Sequence, residues 1–292
     1  MNWYIFWIAI YLVLIIYLTI KHVKSHDIEN YLLNNRNTKL LPLIFTTLAT
    51  FIGGGTSIGL MAMGYESGLA AVGIGIAYVI GFMILIRFAG NIHHIGAKEK
   101  IYSFPQFLIS RYSNVDKDPK FARWFSAMVT GINVSIFFFL LAAQFVAMAS
   151  LLKFAFEVDY TMAAIISGII IIAYTAFAGM AGVIVTDSLQ FIIIVLMIVF
   201  IFIPGIIQDT LWLERLAELP KEMTNGTAEG MAFLIALPLF LSWSVLVRMD
   251  IWQRILAAKS DSVARKMSFW SGIGMNRYAA FLYYFSTYWY DG

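Results

Sequence analysis

Residues 49–68 read ATFIGGGTSIGLMAMGYESG, inside a stretch over 40–64 that is long and apolar enough to cross a membrane as a helix. Three consecutive glycines, Gly53, Gly54 and Gly55, followed by Thr56 and Ser57, stand where a simple anchor helix would use Leu or Ile. Glycine costs about 1 kcal/mol against alanine in a helix interior, so this run predicts a helix that unwinds midway. Backbone freed in this way offers carbonyls to a cation and half-helix ends to a substrate. Small residues in a span also let two helices pack closely. The run of three with two hydroxyl residues behind it favours the break. Irregular backbone is tolerated at that depth only where protein or water covers it, so the stretch implies a bundle with a site inside.

The rest of the chain fits that picture. Of its 292 residues 61% are hydrophobic and 13% charged, and the mean hydropathy is +0.79. Soluble domains are roughly 45–50% apolar and about 25% charged. Apolar runs recur near 3–20, 40–64, 69–90, 124–152, 161–178, 188–207, 231–247 and 268–287 with short gaps, which predicts one continuous all-α integral membrane domain. The run over 3–20 has no basic residue before it and no small-residue cleavage site after it, so it is expected to stay as a helix. A net charge of +3, with Lys and Arg spread between the runs, argues against nucleic acid. With no cysteine, disulfides and thiolate metal sites are excluded.

Basic residues choose the orientation, because cytoplasmic loops retain them. With the N-terminus outside, the inward segments 21–39, 91–123, 179–187 and 248–267 hold fifteen of the 20 Lys and Arg residues, against three in the outward segments. The outward segment 208–230 carries Leu213, Leu216 and Leu219 at helical spacing, consistent with a short surface helix or a solvated loop.

Several polar residues fall at membrane depth. Pro238 interrupts the run over 231–247, with Ser242, Trp243 and Ser244 after it, and a second interrupted span is the expected companion of the first in a transporter site. Asp187 stands where the sixth run begins, either as a functional acid or as the N-cap of that helix. Gln144 either lines a cavity or hydrogen-bonds a neighbouring helix. The histidines, His22, His26, His93 and His94, fall in predicted inward loops without a HExxH pattern, so they read as solvated. No phosphate loop follows the glycines, and Asp187 has no evident acid–base partner, so neither ATP-driven pumping nor an intramembrane enzyme is indicated.

Three stretches together resemble a known family. Residues 173–183, AYTAFAGMAGV, with Thr186, Asp187 and Gln190 behind them, resemble the signature of the sodium/solute symporters, sodium-coupled carriers of proline, pantothenate and sugars. Residues 49–68 look like the first core helix of that family, and residues 250–259, DIWQRILAAK, like its inward loop after the sixth core helix.

The resemblance runs from the N-terminus to about residue 274. It implies a partial five-plus-five inverted-repeat transporter fold with one extra N-terminal helix. The leading helix is then 3–20, the first repeat 40–207 and the start of the second repeat 231–274, with 275–292 a non-family aromatic tail. It further implies sodium-coupled symport of a small organic solute across the cell membrane by alternating access, with no enzymatic step. Sodium would be held by backbone carbonyls of Ala49 and Ile52, with Asp187 on the ion's inward path. Thr56 falls where sugar carriers contact substrate, Trp243 lies near aromatic substrate contacts, and Gln144 joins them as a candidate. Phe51 occupies a position where proline carriers have an aspartate, and Ala178 replaces the first glycine of a Gly-Gly pair. Family members being longer, the expectation is a chain truncated after about Met275 and impaired by it. The other reading is an inactive fragment or an accessory subunit that pairs with a partner, such as the missing C-terminal half as a separate chain.

Overall fold

The computed structural model describes residues 3–22, 27–113, 119–209 and 221–288. The elements among them are helices, joined at one place by a parallel bridge between Thr38 and Ala258. Helices stand at all eight positions where the sequence predicts a span. Among the described residues three helices are long and apolar enough to cross a membrane on their own, Ala70–Lys98, Pro119–Phe156 and Gly179–Gly205, and the pair Met231–Val247 and Met249–Ala257 passes together across a 48° bend.

Helix α1 (Trp3–His22) is apolar on all sides and leaves most of its side chains exposed, as a helix in lipid does. It leans on α8 (Tyr160–Met197), where Gln190 Nε2 donates to Tyr11 Oη at 2.7 Å. Short α2 (Ile28–Leu33) is capped by Asp27 and runs into a turn in which Asn34, Asn35 and Arg36 all have φ near +50°. Asparagine tolerates that region, and Arg36 is held in it by its own side chain. Its Nε donates to Glu29 Oε1 and its Nη2 to Ile101 O, each at 2.9 Å.

The predicted break is present. Helix α3 (Leu40–Phe51) ends with Ile52 N–H donating to Leu48 O at 2.9 Å, and α4 (Gly54–Ser67) begins with Ser57 N–H donating to Gly53 O at 2.9 Å. Between them the chain turns at Ile52 (φ −88°, ψ 11°) and extends at Gly53 (ψ 157°). Next come α5 (Ala70–Lys98), α6 (Phe104–Tyr112), α7 (Pro119–Phe156) and α8. After α8 follow α9 (Ile203–Asp209), α10 (Lys221–Thr224), α11 (Met231–Ala236), α12 (Ser242–Val247), α13 (Met249–Ala257) and α14 (Asp261–Tyr288). Proline lacks the N–H that a helical turn needs, and the backbone widens around Pro238, over Leu237–Leu241, and just before Pro204, over Ile198–Phe202.

Three expectations change. The inward loop predicted over 179–187 is helical: only Gly179 leaves the helix (φ 56°, ψ −172°), so small residues that read as a loop form a kink within α8. Asp187 is therefore two turns inside a helix, not its N-cap. Residues 91–98 belong to α5, and 249–257 form α13, because their apolar positions find a core to cover. Leu213, Leu216 and Leu219, read as a short surface helix or part of a solvated outer loop, lie outside the described residues.

The main core gathers Leu43, Phe51, Phe82, Leu85, Ile255 and Met267, where α3, α5, α13 and α14 meet. Along it α14 packs on the length of α5 and crosses α3 and α4. A smaller cluster of Leu33, Met180, Ile184, Trp252 and Leu256 fastens α2 and α13 to the kinked part of α8.

Candidate functional site

Below the break, α3 turns a ladder of hydroxyls toward α8 and α13. Thr46 and Thr50 are one turn apart and so share a face. Thr50 Oγ1 donates to Thr46 O at 2.9 Å, and Thr46 Oγ1 donates to Asp187 Oδ2 in a short hydrogen bond. Both hydroxyls then accept from Arg254. Its Nη2 bonds Thr50 Oγ1, lies 3.2 Å from Thr46 Oγ1 and reaches Asp187 Oδ2 at 3.5 Å. Nη1 donates to Asp250 O at 2.9 Å. Every hydroxyl has a donor and an acceptor role that match.

This cluster is out of water: the Arg254 side chain is 7% exposed and that of Asp187 16%. Two buried opposite charges hold each other against desolvation only while both remain. Arg254 Nε is buried and has no hydrogen-bond partner among the described residues. Beside the cluster, Arg248 grips Asp250 with two bonds, Nε to Oδ1 at 3.0 Å and Nη2 to Oδ2 at 2.6 Å, and its guanidinium lies 4.4 Å above the centre of the Phe51 ring. Phe51, where the resemblance leads one to expect an aspartate in proline carriers, thus meets a cation with its π-face.

Ala49 and Ile52 lie buried at the end of α3, among the four residues whose carbonyls a helix leaves without an internal partner. One of these has a local donor already, since Ser57 Oγ donates to Ile52 O at 2.9 Å. Gln144, on α7, comes to the break itself: a Cβ built on Gly53 would stand 3.1 Å from Gln144 Nε2. Asp187 lies with Thr46 and Thr50, on the α3 side that leads away from the break. Trp243 stands apart, 54% exposed on α12, next to Ser242, which turns inward and donates to Ala77 O at 2.8 Å. The Thr56 side chain is outside the described residues.

The expectation of an inward loop over 248–267 concealed the burial of Arg254. The sequence shows only that Asp250 and Arg254, four residues apart, share one face of a helix whose apolar pairs fall at 251–252 and 255–256; the pattern does not mark that charged face as buried. His93 is likewise buried rather than solvated, between Asp261 and the Ala258 carbonyl. Nothing in the sequence marks that pairing, which joins residues 168 apart.

Comparison with known proteins bears on the same segments. The sodium/proline symporter of Staphylococcus aureus is 24% identical over 292 residues, covering 94% of this chain and 54% of the relative. Proteins of the same name from strains JH9 and COL match at 24% over 293 residues with the same coverage. The chain spans about half the length of the curated relatives it matches. The family model of the sodium:solute symporters matches residues 31–276, from α2 through the broken helix, the kinked α8 and the arginine-bearing α13. With most of its length and every element of the polar cluster inside that match, the chain belongs to the sodium:solute symporter family, a family of membrane transporters.

Proposed function

We propose that this chain takes part in sodium-coupled transport of a small organic solute by alternating access, with the broken helix and the cluster beneath it forming the ion side of the site. The observation that carries the reading is the break at Ile52–Gly53, with Thr50, Thr46, Asp187 and Arg254 directly along the helix from it. Sodium takes hard oxygen donors, and the end of α3 offers backbone carbonyls, Ala49 and Ile52 among them, at the negative end of a helix dipole. Hydroxyls of Thr50 and Thr46 then lead to the Asp187 carboxylate, the second anionic stage for an ion moving inward.

In this reading Arg254 is the tethered cation that stands in when no ion is near Asp187. A sodium ion reaching the carboxylate competes with the guanidinium for the same oxygens, and release of Arg254 loosens α13 from α3 and α8. Binding then shifts the balance of conformations by the difference in the ion's affinity for each. In this reading the solute sits beside the break, near Gln144 and Thr56. Proline, the solute in the relatives' name, is one candidate for testing beside sugars and carboxylates.

Thermal unfolding of the purified chain in detergent tests the reading. Sodium should raise the midpoint where equal choline does not, since a ligand of the folded state stabilises it. A solute that adds to the shift only with sodium present would identify the cargo. A midpoint indifferent to sodium against choline would remove the ion site, and Asp187→Asn should abolish the sodium increment.

A further inference from the structure

We infer that His93 and Asp261 form a proton-binding site on the side of the molecule where α5, α13 and α14 meet, and that the proton they share fastens the α13–α14 connection in place. The inference does not depend on the transport reading. His93 is 10% exposed in its side chain, and both ring nitrogens face acceptors. Nδ1 lies 2.5 Å from Asp261 Oδ1, and Nε2 lies 2.8 Å from Ala258 O. A carbonyl cannot donate, so Nε2 carries a hydrogen, and a neutral imidazole has no second one for Nδ1. The contact at Nδ1 therefore needs one more proton, held either by the ring as imidazolium or by Asp261 as the acid. Both descriptions count the same proton. Once it leaves, a lone pair faces a carboxylate, or the ring turns its hydrogen to Asp261 and faces the Ala258 carbonyl with a lone pair.

What this proton holds is specific. Ala258 is fully buried at the end of α13, in the bridge where Thr38 N–H donates to Ala257 O and Lys259 N–H donates to Thr38 O, each at 3.0 Å. Asp261 opens α14. His93 thus ties α5 to both ends of the connection that sets the position of α13, and with it Arg254. The charged groups around the pair come from each neighbouring element. From α14 there is Arg265, whose Nη2 would stand 2.8 Å from a Cβ on Gly90, and from α5 the exposed His94, 3.6 Å from Asp261 Oδ2, and Lys98. The turn before α3 brings Arg36, already paired with Glu29, and Lys39, and the connection itself brings exposed Lys259. Asp261 is the acid in contact with the ring.

The absence of cysteine makes a direct test available. Ala258→Cys places a thiol at a fully buried position, and Lys259→Cys next to it places one in solvent. In the full chain in detergent, the alkylation rate at 258 is divided by that at 259, from about pH 5 to about pH 9. The ratio should rise by about threefold toward alkaline pH, a modest factor because the Asp261 side chain is 44% exposed and its charge is screened by solvent. Asp261→Asn supplies an amide N–H to Nδ1 while neutral His93 donates to Ala258 O, so this variant should keep a low ratio at every pH. His93→Gln should give a ratio that does not change with pH. A flat ratio in the parent chain, or an Asp261→Asn chain whose ratio climbs as the parent's does, would overturn the proposal.

Discussion

Three residues carry consequences far beyond their size. Arg254 and Asp187 are buried together, so removing one strands the other. Asp187→Ala should destabilise the chain by about 3–5 kcal/mol, read by chemical unfolding in detergent. Adding Arg254→Met should recover a good part of that loss, because an apolar side chain of similar length leaves no charge unpaired. A double variant as unstable as the two single losses added together would show that the pair is not coupled. Gly179 is the third. With φ 56° and ψ −172° it occupies a region open essentially to glycine alone, and a Cβ there would meet Tyr31 Cδ2 at 2.9 Å. Gly179→Ala should cost about 1–3 kcal/mol, visible as a lower thermal midpoint. Tyr31 also donates from its hydroxyl to Ala176 O at 2.9 Å, so one residue of α2 braces the kink at two points.

Among the elements, the interrupted helix was legible in advance and its surroundings were not. Three glycines announce a weak point in a span, since the local backbone alone decides that the helix is costly there. That Gln144 closes on Gly53 depends on how α7 crosses α4, which no local pattern states. The contact makes a prediction for the pair of helices. Gly53→Ala should push the Gln144 amide aside by a few tenths of an ångström at a cost of about 1 kcal/mol, and Gln144→Ala in the same chain should return most of it. Stability of the four chains by thermal unfolding checks this, and equal losses with and without Gln144 would refute the contact. The segment over 179–187 misleads in the opposite sense. Its Gly-Met-Ala-Gly sequence reads as a loop, yet a single glycine absorbs the whole bend and the helix resumes at once.

For the molecule as a whole, the strongest long-range expectation concerns orientation. The basic residues gather in the segments at one end, which places the N-terminus outside if the bilayer sorts them in the usual way. In a chain without cysteine, Lys221→Cys and Lys259→Cys report opposite sides. An impermeant maleimide applied to intact cells should label position 221 and spare 259, and inverted vesicles should exchange the two; the reversed pattern would overturn the assignment.

By itself, the sequence determined the class of fold, the eight apolar stretches where helices stand, the broken span and the family, because each rests on local composition or on short motifs read in order. Tertiary structure alone decided that Arg254 lies on Asp187, that His93 lies between Asp261 and the Ala258 carbonyl, and that Trp243 faces outward. The physical reason is the same in each case. Backbone preference and hydropathy act over a few neighbouring residues, whereas a buried charge finds its partner only when distant helices have packed, and desolvation then leaves it no other place to go.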